Sequence, residues 1–153
     1  MISWTHQRKR MDSAVKIVVS ACLLGENCKY NGGNNLCPAV VAFTAGKDVI
    51  PVCPERAAGL GCPRVPMEIV NGVLINKEGV NVDEPVRSAV ARLMAQLQPD
   101  EIQCAVLKAR SPTCGVHQVY DGSFSGKLVE GSGVFAQALQ AAGIRVLDES
   151  QIE

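Results

Sequence analysis

The stretch Cys104–Gly115, CAVLKARSPTCG, decides the fold. Its first half, Ala105-Val106-Leu107, is an uninterrupted apolar run of strand length, which places a buried strand over residues 103–108. Its second half is a turn bounded by Pro112 and Gly115 that presents Ser111 and Cys114 three positions apart. A rigid turn of this kind at a strand end is retained where a site uses it. Two other strand ends repeat the pattern. Residues 15–20, VKIVVS, form a β-branched run followed closely by Cys22, and residues 48–52, DVIPV, run directly into Cys53. Pro51 weakens the second of these strands, because proline cannot donate to a ladder.

Between and beyond these strands lie helices. Residues 36–45 fit a helix closed by Gly46, and residues 133–142 a helix ended by Gly143, with a last strand over 144–147. In residues 82–97 the apolar positions Val82, Val86, Ala89, Val90, Leu93 and Leu97 share one helical face, and Asn81 with Glu84 resembles a capping box. Residues 67–76, MEIVNGVLIN, place two apolar runs around Asn71-Gly72, the type I′ hairpin dipeptide. Residues 53–66 read as loop. The alternation predicts one α/β domain over residues 13–153: a three-layer, Rossmann-like fold with a mainly parallel sheet and an inserted β-hairpin. Residues 1–12 are expected to form a flexible tail, with Met11 an alternative start.

Composition bounds the partners. With 15 basic and 15 acidic residues, the 153-residue chain carries no field that would gather nucleic acid. Aromatic residues are 4% of the chain, too few for a platform that stacks single strands. The basic start and apolar run of residues 8–25 superficially resemble a secretory leader, but Asp12 and Lys16 interrupt it. No run reaches the roughly 18 apolar residues of a membrane span. The expectation is a cytoplasmic protein, monomeric or weakly homo-oligomeric, without nucleic-acid or membrane partners.

Seven cysteines in such a chain point to a metal site or catalysis rather than disulfides. Open parallel sheets bind ligands beyond the carboxyl ends of their strands. Three adjacent strand ends span roughly 10 Å, room for one polynuclear cluster on Cys22, Cys53 and Cys114. The spacing alone leaves zinc and buried structural thiols open as alternatives. Cys28 competes as a ligand, Cys37 and Cys104 read as core, and Cys62 as an exposed bystander. Glu55 and Ser111 stand within three residues of two of these cysteines; a capping or turn role competes with catalysis for each. GSFSGKL, residues 122–128, is one residue short of a phosphate loop and lacks its Ser/Thr, which excludes nucleoside triphosphate hydrolysis. Lys29, Lys108, Arg110 and Lys127 are candidates to meet a substrate phosphate, and His117 reads as structural.

Four motifs, in order, carry a resemblance: VSACLLGENCKYNGGNN from Val19, PVCPE with GLGCPRVPMEI, VLKARSPTCG, and YDGSFSGKLVEGSGVFA from Tyr120. Together they resemble the thiouracil desulfurase (desulfidase) family, once classed as a domain of unknown function, from about Val15 to the C-terminus. The resemblance implies a [4Fe-4S] cluster held by only three cysteines, which fall on Cys22, Cys53 and Cys114. It implies an open iron that takes the sulfur of a thiolated pyrimidine, either thiouracil or 4-thiouridine monophosphate, and a hydrolytic, non-redox release of sulfide. Glu55 would then move protons, and Ser111 would hold the attacking water, the ring or the leaving sulfur. A carrier or redox sensor built on the same cluster is the competing function, and would need neither Glu55 nor Ser111.

Overall fold

The computed structural model describes residues 15–152, so the expected tail over 1–12 lies outside the described residues. Strands β1 (Lys16–Ser20), β2 (Asp48–Val52), β5 (Ile102–Leu107) and β8 (Val146–Asp148) form one sheet in the order β2-β1-β5-β8, and every neighbouring pair is parallel. β2 is an outer strand, where the missing N–H of Pro51 is tolerated. The chain leaves β1 toward β2 and returns across it to β5. The direction of winding therefore reverses between β1 and β5, and a crevice opens at their carboxyl ends.

The strand side chains alternate between two cores. Ile17, Val19, Cys104 and Val106 face Leu23 and Val40 on one side. Val18, Ala105 and Leu107 face Val86, Val90, Phe135 and Leu139 on the other. The first core is closed by helix α1 (Pro38–Thr44), the second by helices α3 (Asp83–Gln96) and α4 (Val134–Ala141). A short helix α2 (Pro54–Ala57) starts directly after β2. This is the expected three-layer arrangement. Each fully buried Val, Leu, Ile or Phe contributes roughly 1.5–3 kcal/mol.

The hairpin pairs β3 (Met67–Val70) with β4 (Val73–Asn76), and Asn71 and Gly72 take φ of 51° and 80°, as a type I′ turn demands. It stands apart from the main sheet. A second small ribbon, β6 (Gln118–Tyr120) with β7 (Leu128–Glu130), occupies a stretch that carries no clear strand pattern.

Three local expectations shift. The Asn81/Glu84 capping box does not form; the Asn81 side chain instead accepts from the Asp83 N–H at 2.9 Å, the local bond that asparagine favours two residues ahead. The last strand begins at Val146 rather than at 144, because the Ile144 N–H is still bonded to the Leu139 carbonyl of α4. Residues 53–66 contain α2 rather than loop alone.

Candidate functional site

The sheet order sets Cys53, Cys22 and Cys114 beyond three adjacent strands, β2, β1 and β5. All three line one cavity of about 530 Å³ at the carboxyl edge, together with Glu55 and Ser111. Cys22 sits in the single turn Ala21–Leu24 that ends β1, and its Sγ accepts from Asn35 Nδ2 at 3.4 Å. Cys53 caps α2, and its Sγ accepts from the Arg56 N–H at 3.5 Å. Cys114 is buried beside Ser20 and Thr113.

The turn that holds Cys114 is braced from both ends. Ser111 Oγ accepts from the N–H groups of Thr113 (3.2 Å) and Cys114 (3.0 Å). The carbonyls of Pro112 and Thr113 accept from the first N–H groups of α4, Val134 at 3.1 Å and Phe135 at 2.8 Å. The fit against Gly133 leaves no room for a side chain: a Cβ there would stand 2.4 Å from the Thr113 carbonyl carbon. Ser111 and Cys114 are thus fixed against one another by the start of a helix.

Glu55 is 9% exposed and both of its oxygens are held. Arg64 Nε donates to Oε1 at 3.0 Å, and Thr113 Oγ1 donates to Oε2 at 3.2 Å. With its proton committed to Glu55, Thr113 Oγ1 accepts from Ser111 Oγ, 3.0 Å away. A hydroxyl chain therefore links Ser111 to Glu55. Arg64 extends the brace, its Nη1 and Nη2 donating to the carbonyls of Gly61 and Cys28, each at 2.9 Å. Burial works against the Arg64 charge, but the Glu55 carboxylate outweighs it and holds the guanidinium above its ordinary range.

The thiols resist ionisation as they stand. Burial raises Cys22 against the hydrogen bond from Asn35, with the Cys53 sulfur pushing further up. Burial pushes Cys114 up to about 12 despite a hydrogen bond from Ser20. Cys28, buried in the same wall, is also pushed up to about 12 by burial and by the neighbouring Cys53 and Cys22 sulfurs. Several thiolates facing one cavity need a cationic group between them. Among the described residues no three of His, Cys, Asp or Glu converge closely enough to hold a single metal ion.

The other candidates divide. Cys28, Lys29, Lys108 and Arg110 line the cavity, whereas Cys37, Cys62, Cys104, His117 and Lys127 do not. Lys108 is paired with Glu149 at 2.9 Å, and exposed His117 bonds Gln151 at 2.9 Å. No helix follows GSFSGKL; the chain continues into β7. Sequence reasoning missed Arg64, Thr113, Asn35, Ser20 and Glu68, all of which line the cavity. Arg64 and Thr113 stand inside quoted motifs, but no periodic spacing marks Arg64 nine residues beyond Glu55, and Thr113 lies 58 positions from the carboxylate it bonds.

Comparison with known proteins gives the family and the fold. The chain is 34% identical over 146 residues to YbbK of Bacillus subtilis strain 168, a protein described as uncharacterized, across 89% of this chain and 97% of that one. It superposes with a TM-score of 0.82 on a solved structure described as the [4Fe-4S]-dependent thiouracil desulfidase TudS, with 33% identity and coverage of 89% of this chain and 91% of that chain. The profile of the 2-thiouracil desulfurase family matches residues 17–151, essentially all of the described fold, and the chain belongs to that family.

Proposed function

We propose that the protein removes sulfur from thiolated pyrimidines, thiouracil and 4-thiouridine monophosphate, giving the uracil compound and sulfide. The proposal assigns a [4Fe-4S] cluster to Cys22, Cys53 and Cys114. The observation that carries it is the convergence of three buried or half-buried thiols, beyond three adjacent strands, on the cavity that also holds Glu55 and Ser111. The donor set fits the cofactor: sulfur ligands suit iron–sulfur chemistry, and the raised thiols need the positive charge that iron would bring. When bound, the cluster supplies an iron without a protein ligand, a soft Lewis acid for the substrate's sulfur.

The remaining chemistry belongs to the chain. Water adds to the ring carbon, the C–S bond breaks, and sulfide leaves; the carbon keeps its oxidation state, so no electron enters or leaves. Glu55 takes the proton of the attacking water and returns it to the leaving sulfur. Ser111, tied to Glu55 through Thr113, turns its hydroxyl proton from Thr113 to the water or the ring when substrate enters. Arg64 fixes the carboxylate, and the brace on α4 keeps the hydroxyl within reach. Lys29 and Arg110 at the cavity wall offer charge to a substrate phosphate. The setting is the cytoplasm, with a monomer or weak homo-oligomer as the working form.

The test is a pair of variants. Glu55→Gln and Ser111→Ala should keep the iron content and brown colour of the anaerobically reconstituted protein, and should lower sulfide release by roughly 10²-fold or more. Near-wild-type turnover in Glu55→Gln would remove it from the mechanism.

A further inference from the structure

The chain has two tyrosines, three phenylalanines and one tryptophan. Both tyrosines, Tyr30 and Tyr120, line the cavity described above, and Phe124 lines it with them. In a protein so poor in aromatics, this concentration in one cavity is not what a core would produce; Phe135 alone serves the main core as a fully buried aromatic.

Phe124 is placed at a conformational cost. Its φ is 56°, in the left-handed region that bulky residues avoid. What holds it there is Glu68, on β3 of the separate hairpin. One carboxylate oxygen of Glu68 accepts from both the Gly122 N–H (3.0 Å) and the Phe124 N–H (3.1 Å). Gly122 completes the clamp, because its backbone lies so close to β3 that a Cβ would stand 2.6 Å from the Ile69 carbonyl oxygen. Glu68 is 9% exposed, and its use on two backbone donors of a distant turn gives the hairpin a role: it seats that turn against the site. Glycine or asparagine would relieve the backbone at 124, so an aromatic side chain retained there has a use that outweighs the strain.

We propose that Phe124 is the aromatic face against which the pyrimidine ring of the substrate is seated, and that Glu68 is the positioning residue that holds it there. The inference rests on the pyrimidine reading of the cavity. It makes Phe124 a determinant of ring recognition, separate from the residues that engage sulfur or move protons. A planar π-face is what a pyrimidine offers and what a non-aromatic thioamide lacks.

The test is binding of uracil, which has the ring but no sulfur, to the cluster-loaded protein by calorimetry under anaerobic conditions. Phe124→Asn keeps a residue at ease with the backbone and removes the ring. It should leave the melting temperature unchanged or higher and weaken uracil roughly 5- to 150-fold, the range of base–aromatic stacking. In sulfide release it should raise KM for thiouracil far more than it lowers kcat. Glu68→Ala should weaken uracil in the same way and speed hydrogen exchange at the Gly122 and Phe124 amides. Glu68→Gln, which keeps an acceptor oxygen, should restore both. If wild-type protein binds uracil and Phe124→Asn binds it equally well, the assignment of Phe124 is overturned while the pyrimidine reading stands. If wild-type protein neither binds uracil nor releases sulfide from thiouracil, the pyrimidine reading falls and this inference with it.

Discussion

Arg64→Met isolates the brace on Glu55. The Arg64 and Glu55 side chains are 6% and 12% exposed, so solvent screens their ion pair little. Removing the guanidinium leaves a buried carboxylate with Thr113 as its remaining side-chain partner, and strips the donor from the Gly61 and Cys28 carbonyls. Breaking one side of a buried pair costs about 3–5 kcal/mol. For a domain of this size each kcal/mol moves Tm by about 2–4 °C, so Tm should fall by about 6–20 °C. Thermal unfolding followed by circular dichroism reads the change. The same measurement in a Glu55→Gln background tests the cause. With the carboxylate neutral, Arg64→Met should cost less by at least about 1 kcal/mol, because the uncompensated charge is gone. A fall of under about 2 °C, or equal costs in both backgrounds, would refute the claim that Arg64 holds a charged Glu55.

Three further outcomes are expected. Cys22→Ala, Cys53→Ala and Cys114→Ala should each prevent assembly of an intact cluster, read as iron and acid-labile sulfide per protein, whereas Cys62→Ala and Cys104→Ala should not; loss with Cys28→Ala and not Cys22→Ala would reassign the first ligand. Gly133→Ala should destabilise by about 3 kcal/mol or more and lower cluster content, since its Cβ would meet the Thr113 carbonyl carbon at 2.4 Å and the Cys114 nitrogen at 2.8 Å, backbone atoms that cannot rotate away. Cluster-free protein should be labile to alkali: Cys28 and Cys114 are raised from 9.0 to about 12 in the fold, so their contribution is fully present below about pH 9 and is lost as pH rises toward 12, where the unfolded chain has already ionised. Urea unfolding at about pH 7 and about pH 10 measures it, and equal stability at the two would contradict the burial of these thiols.

The strands of the main sheet are legible in the sequence because both of their faces are buried, so that Ile17-Val18-Val19 and Ala105-Val106-Leu107 carry no polar interruption. The same clarity places Cys22, Cys53 and Cys114 at one rim, since a strand end is a local feature. The order β2-β1-β5, which makes those ends adjacent, is a property of the crossovers and emerges only in three dimensions. Glu55 and Ser111 could be named from motifs, but the bonds that join them through Thr113 could not. Thr113 reaches Glu55 across 58 positions and Glu68 reaches Phe124 across 56, and neither pairing leaves a periodic trace. The β6–β7 ribbon escaped notice for another reason: its strands are three residues long and half exposed, so turn glycines dominate the local signal. Asn81 misled because a side chain suited to capping can serve its own backbone two residues on instead.

The most direct test of the account is sulfide release by the wild-type protein. The protein is reconstituted with iron and sulfide under anaerobic conditions, freed of reductant, and incubated with thiouracil and separately with 4-thiouridine monophosphate; sulfide and the uracil compound are then quantified together. The account predicts brown protein and the two products in equal amounts over many turnovers with no electron donor present. Brown protein that releases no sulfide from either compound, or that does so only when dithionite is supplied, would contradict it.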